Sequence, residues 1–261
     1  MDGNIEAKIA AQSGAGVESK INSSDVGEEV VRIVNPEEEK YRAHDLENRA
    51  SFLKRLEGLP QEIINTIDFA YDLGKEAHRP QRRDTGERYF EHLRAVALIL
   101  IDECHIKDPN LIIAALLHDS VEDSAIFGNA TQAYSKWKEV TRFRLSKIFN
   151  SEVAEIVIIL TKPKVDGQEI QTKEAAHHLY IKHLSLAPAK IILAKMADRL
   201  HNLRSLPGTT PEKQRRIVAE TKAIYFPLFQ KVLAEYPTEG QYMLNEMEKA
   251  IAKLEVVPAE V

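Results

Sequence analysis

The sequence predicts an all-α fold, a helical bundle with its chemistry in the core. Three observations lead there. Apolar residues recur at three- and four-residue intervals through most of the chain after Leu46. Helix-start signals such as Asp108-Pro109 precede the apolar runs. The one β-branched run, Val153 to Leu160, would have nothing to pair with as an isolated strand, so it is read as helix.

Residues 1 to 42 are rich in Gly, Ser, Asn and Glu and too poor in apolar residues to cover a core face, so they are read as a disordered leader. A domain is expected over 43–258. Pro60 stands at a helix first turn, and Ile63, Ile64, Ile67, Phe69, Ala70 and Leu73 follow at helical spacing, predicting one amphipathic helix that ends near Ala77. A loop rich in Pro, Arg and Gly comes next. Further helices are expected over 90–104, 109–122, 131–148, 151–161, 172–186, 188–206, 211–234 and 238–254, with no internal repeat.

At 261 residues and 44% apolar content the chain is sized for one core. A formal charge of −5 lacks the basic surplus that duplex binders carry, so neither DNA nor RNA is an expected partner. Apolar runs such as Ala95 to Ile101 are too short to span a bilayer, and MDGNIEAKIA has no signal-peptide pattern. The single cysteine, Cys104, is read as a small buried apolar residue. The chain is therefore expected to be soluble, cytoplasmic and without membrane partners, with its oligomeric state left open.

The chemistry concentrates in two segments. His118-Asp119-Ser120-Val121-Glu122-Asp123 follows the apolar run Leu111 to Leu117, and Asp198-Arg199-Leu200-His201-Asn202 lies inside another apolar helix. Burying an imidazole beside a carboxylate without partners costs several kcal/mol, on the order of 2–7 for each polar group, and a metal ion would supply the partner. If the first helix continues, His118 shares a face with Glu122, and Asp119 with Asp123. Asp198, His201, Asn202 and Ser205 share a face of the second.

His118, Asp119 and Asp198 are thus three candidate ligands, and a mixed nitrogen and oxygen set suits Mn²⁺, Fe²⁺ or Zn²⁺. His92 is the best fourth, although a lone histidine on an apolar face is more often a hydrogen-bonded core residue. Glu122 and Asp123 remain to orient an activated water and take its proton. His177, His178 and His183 are read as solvated, and His44, His78, His105 and His201 as structural or surface residues. Arg79, Arg82, Arg83 and Arg88 crowd the loop before His92. Such runs are usually solvated, yet beside a metal site guanidinium groups grip phosphates and stack on bases, which points to a phosphorylated nucleotide.

HRPQRRDTGERYFEH, LIIAALLHDSVED, ILAKMADRLHNLRSL and EKQRRIVAETKAIYFPL, in this order, resemble the hydrolase domain of the RelA/SpoT homologues, within the HD superfamily of metal-dependent phosphohydrolases. The resemblance covers residues 60 to 230. It implies an HD-domain helical bundle, with His92, His118, Asp119 and Asp198 holding one Mn²⁺ and Glu122 and Asp123 as catalytic carboxylates. It also implies Arg83 and Thr85 in the nucleoside pocket, with Asn202 and Ser205 near ribose and base. The implied reaction removes pyrophosphate from the 3′ position of guanosine tetra- or pentaphosphate.

Two departures stand out. Asp84 occupies a position where many long members carry Lys, and the 124–150 stretch is longer than the usual connection. The chain ends where bifunctional members run on into a synthetase domain, so a small stand-alone alarmone hydrolase is expected. Competing readings are an HD hydrolase of an adenosine alarmone or of the NADPH 2′-phosphate, and a non-catalytic nucleotide-sensing HD domain.

Overall fold

The computed structural model describes residues 48–123, 127 and 133–255; of Asp123 it describes the backbone. The leader over 1–42, His44, and the domain edges at 43–47 and 256–258 lie outside the described residues. The regular elements among them are all helical, with no strand. Val153 to Leu160 is helical as expected.

The helices are α1 (Arg49–Lys54), α2 (Gln61–Ala77), α3 (Tyr89–Leu98), α4 (Pro109–Leu117), α5 (Ser120–Asp123) and α6 (Tyr134–Ile148). Beyond them run α7 (Ser151–Leu160), α8 (Lys173–Leu186), α9 (Ala189–Arg204), α10 (Pro211–Glu220), α11 (Phe226–Phe229) and α12 (Pro237–Glu255). Helix α4 is the central rod: it packs on α2, α3, α7 and α9, and every residue from Leu111 to Leu117 is buried. That explains why its sequence is apolar on all sides rather than along one stripe. Asp108 starts it by accepting from the Leu111 amide at 3.0 Å, with Pro109 in the first turn. Helix α2 approaches α4 so closely at Gly74 that a Cβ there would lie 2.5 Å from the Leu116 carbonyl oxygen. Cys104 is buried, as expected.

Three expected helices are interrupted. The 90–104 segment is α-helical to Leu98 and then widens into a π turn, Ile99–Glu103. The extra residue in the turn accompanies an inward Glu103, whose carboxylate accepts from Arg204 (2.8 and 3.0 Å) and from the Tyr242 hydroxyl (2.6 Å), tying the turn to α9 and α12. The 211–234 segment breaks similarly at a π turn, Thr221–Tyr225, and closes in a 3₁₀ turn, Gln230–Ala234. The 109–122 helix stops at Leu117, and a turn at His118 and Asp119 precedes α5. The Thr161 hydroxyl packs against this break, 3.2 Å from the His118 carbonyl, while donating to the Val157 carbonyl at 2.7 Å. Phe69, counted into the core stripe of α2, is instead 53% exposed and leans on Phe149, with ring centroids 6.0 Å apart.

Candidate metal centre and cleft

Helices α3, α4 and α9 converge on His92, His118 and Asp198, whose candidate ligand atoms all lie within 4.8 Å of one another. All three side chains are buried. His92 Nε2 is 3.2 Å from Asp198 Oδ1 and 3.7 Å from Asp119 Oδ2. His118 Nε2 is 3.4 Å from Asp119 Oδ2 and 3.8 Å from Asp198 Oδ1.

The tautomers follow from the neighbours. His118 Nδ1 lies 2.9 Å from the Ala115 carbonyl, which can only accept, so Nδ1 carries the proton. Its Nε2 then presents a lone pair, and this buried nitrogen has no hydrogen-bond partner. Arg83, which can only donate, reaches His201 Nδ1 at 3.1 Å, so that nitrogen accepts. His92 Nδ1, 2.8 Å from the same atom, must therefore be the donor, which leaves its Nε2 lone pair facing Asp198 and Asp119. Two imidazole lone pairs and two carboxylates meeting in a buried space repel one another unless a cation joins them. The donor set fits a divalent metal ion.

The electrostatics agree. Burial alone would depress His118, but the Asp119 and Asp198 carboxylates overcome it and push it up to about 9, so a proton and a metal ion compete for one lone pair. Burial, then the Arg83 guanidinium, pushes His92 down to about 4. Burial, His92 and Arg83 hold His201 well below the usual histidine range. Asp198 stays well below the carboxylate range despite its burial, because the Lys195 ammonium contacts its Oδ2.

Asp119 accepts from the Tyr89 hydroxyl at 2.9 Å. Asn202 donates to Asp198 Oδ1 at 2.6 Å and accepts from Arg83 at 2.7 Å; Arg83 also donates to Ser205 Oγ at 3.3 Å. Arg83 is delivered by a tight loop in which Gly86 takes a φ of +88°, the left-handed region that favours glycine. Thr85 does not line the cleft: its methyl abuts Gly208, where a Cβ would come within 2.9 Å. Asp84 faces Lys213 at 2.6 Å rather than holding Arg83 in an ion pair.

Glu122 stands on α5 at the cleft wall, its Oε2 3.3 Å from the Lys162 amide and its carbonyl oxygen contacted by Lys164. The helix break between the ligands and Glu122 replaces the expected shared face. His201, read from sequence as structural or surface, has a structural role, orienting His92; its i+3 spacing from Asp198 was the available signal. Tyr89, Lys195 and the 162–164 loop were not singled out, and no local pattern marks them. His178 is exposed and His177 and His183 are partly so, outside the centre.

The centre opens into a cleft of about 360 Å³, within the roughly 300–1,000 Å³ of small-molecule sites. Arg82, Lys162, Lys213 and Arg216 line its outer part, while Arg199 packs deeper, 3.7 Å over the Tyr225 ring and 3.0 Å from Glu220. Arg79 and Arg88 do not line it.

The HD domain family matches residues 70–232. The chain belongs to the HD-domain family. Over 174 residues, 65% of this chain, it is 34% identical to the bifunctional (p)ppGpp synthase/hydrolase SpoT of Escherichia coli K12, covering 22% of that protein. It is 36% identical to a probable guanosine-3′,5′-bis(diphosphate) 3′-pyrophosphohydrolase of Synechocystis over 64% of this chain and 19% of that one. It thus spans about a fifth of the curated relatives it matches. A solved structure described as a metazoan ortholog of SpoT that hydrolyzes ppGpp superposes with a TM-score of 0.52 over 74% of this chain and 97% of that one, at 24% identity. That likeness shows a shared fold. Among the described residues, no helix is long and apolar enough to cross a membrane.

Proposed function

We propose that this HD domain is a metal-dependent 3′-pyrophosphohydrolase of guanosine tetra- and pentaphosphate, located in the cytoplasm. The observation that carries the reading is the convergence of two imidazole lone pairs and two carboxylates at the floor of a basic cleft. The relatives' names supply the substrate.

His92, His118, Asp119 and Asp198 would hold the ion, proposed to be Mn²⁺, whose chemistry is to polarise a phosphoryl oxygen and acidify water. Lys162, Lys213 and Arg216 meet the phosphates as point charges and a fork. Glu122, joined by Asp123, takes a proton from the attacking water. Water adds to the phosphorus bonded to the 3′ oxygen, the bond between that phosphorus and the 3′ oxygen breaks, and the oxygen picks up a proton. GDP or GTP leaves with a free 3′ hydroxyl, and pyrophosphate departs. Arg83, Asn202 and Ser205 form one hydrogen-bonded patch that would face the nucleoside, with Thr85 behind the loop.

The test is a substrate panel run on chelator-treated protein and again after Mn²⁺ is restored, with products separated by ion exchange. The expected result is GDP and pyrophosphate from guanosine tetraphosphate, only with metal. Turnover confined to an adenosine alarmone or to NADPH would move the reading to those substrates. Stoichiometric metal without any turnover would make the chain a nucleotide sensor.

A further inference from the structure

The arginine-rich loop divides its side chains between two cavities. Arg82 and Arg83 line the cleft of the metal centre, whereas Arg79 and Arg88 line a second cavity of about 420 Å³. Arg49, Lys75 and Arg94 also line it, making five basic side chains against two carboxylates, Glu76 and Glu91.

Those two acids do not cancel the charge. Glu91 is shared between Arg88, at 2.7 Å, and Arg94, while Glu76 meets Arg79 only at 3.5 Å across exposed side chains. Lys75 has no carboxylate partner among the described residues. Arg49 is turned to Asp68 and Asp72, at 2.6 and 2.9 Å. Arg94 is built in rather than solvated: it is 3% exposed, bonded to the Tyr71 hydroxyl at 3.1 Å, and its Nε has no partner. The buried rings of Tyr71, His78 and Phe90 complete the wall. A buried guanidinium beneath a cationic rim selects a compact polyanion, and a volume of this size suits a small molecule.

We propose that this cavity is a second binding site for a phosphorylated small molecule, separate from the catalytic cleft. The ligand would sit close to the metal centre, because the His78 ring stacks on Tyr89 with centroids 4.7 Å apart, and Tyr89 donates to Asp119. The claim does not rest on the hydrolase reading.

Calorimetric titration of the full chain with inorganic pyrophosphate, without divalent metal, tests it. Three proteins are compared: wild type, Lys75→Gln/Arg79→Gln for the second cavity, and Lys213→Gln/Arg216→Gln for the cleft. Circular dichroism checks that each is folded. Pyrophosphate should bind wild type and the cleft variant at the second cavity with affinities within a few-fold, and that component should be at least tenfold weaker in the second-cavity variant, any binding left there being removed by adding Lys213→Gln/Arg216→Gln. Loss of all binding in the cleft variant, unchanged binding in the second-cavity variant, or no binding to wild type at millimolar concentration would each overturn the proposal. The neutral substitutions also guard against charge reversal unfolding the exposed end of α2.

Discussion

The two halves of the metal centre are built in opposite ways. On α9 and its C-cap Ser205 the functional residues follow one uninterrupted helix, so Asp198, His201, Asn202 and Ser205 keep their i, i+3, i+4 and i+7 relation and their side chains bond to one another or to shared partners. At the junction of α4 and α5 the helix ends between the apolar rod and the polar residues, and His118, Asp119 and Glu122 are each held by a different element. His118 is set by its own preceding turn, Asp119 by Tyr89 and Glu122 by the 162–164 loop. A continuous helix positions by periodicity, a broken one by its neighbours. Damage should therefore spread from α9 into the fold and stay local at the junction.

The largest effect expected is at Asp198. Asp198→Ala should lose the metal and turnover, and it also leaves the buried Lys195 ammonium without its counter-charge, a loss of about 3–5 kcal/mol. His118→Ala should lose the metal just as fully while unfolding much nearer wild type, because the buried Lys195–Asp198 pair stays intact. Metal analysis and denaturant titration of both variants check the contrast. Equal stability losses would break it, and Lys195→Met/Asp198→Asn should recover stability without recovering metal.

Next in size is Glu122→Gln, expected to keep the metal and slow hydrolysis on the order of a hundredfold or more. An unchanged rate at saturating metal would reduce Glu122 to an anchor for the 162–164 loop. His201→Ala is the corresponding change on α9. It removes the acceptor that fixes the His92 tautomer, so metal affinity should fall by roughly 10–100-fold. Competition against a chelator measures it, and wild-type affinity would mean that His92 needs no orienting partner.

The same contrast explains what could be read from sequence. The α9 stripe was legible because helical spacing alone places its members, and the Asp108 cap and the helical reading of Val153 to Leu160 were legible for equally local reasons. Not legible was the stop after Leu117, which carries no Gly or Pro and lies against Thr161, 43 positions away along the chain. Nor were the π turns at Ile99–Glu103 and Thr221–Tyr225, since the first is tied by Arg204 and Tyr242 from elsewhere in the chain. His201 was visible on the right face, but its contact with His92 was not. Spacing shows that a residue shares a face, but only the loop carrying Arg83 and the crossing of α3 show what that face meets.

The smallest effect concerns the loop that holds Glu122. The Asp166 carboxylate accepts from the amides of Gln168, Glu169 and Ile170, each at 2.9 Å, and from Tyr134 at 2.7 Å, pinning the 162–170 loop to the start of α6. These backbone donors, the Ile170 amide foremost, push its pKa down to about 2. A carboxyl depressed in the folded state contributes stability that is fully present above its unfolded value, near 3.8, and lost as pH falls through the folded value. The stability gap between wild type and Asp166→Asn should therefore be level above about pH 4 and shrink toward pH 2, where the protonated acid and the amide become alike. Urea unfolding across that range measures the gap. A gap that stays constant down to pH 2 would mean that the charge on Asp166 does not hold the loop, leaving the contacts of Lys162 and Lys164 with Glu122 to place it.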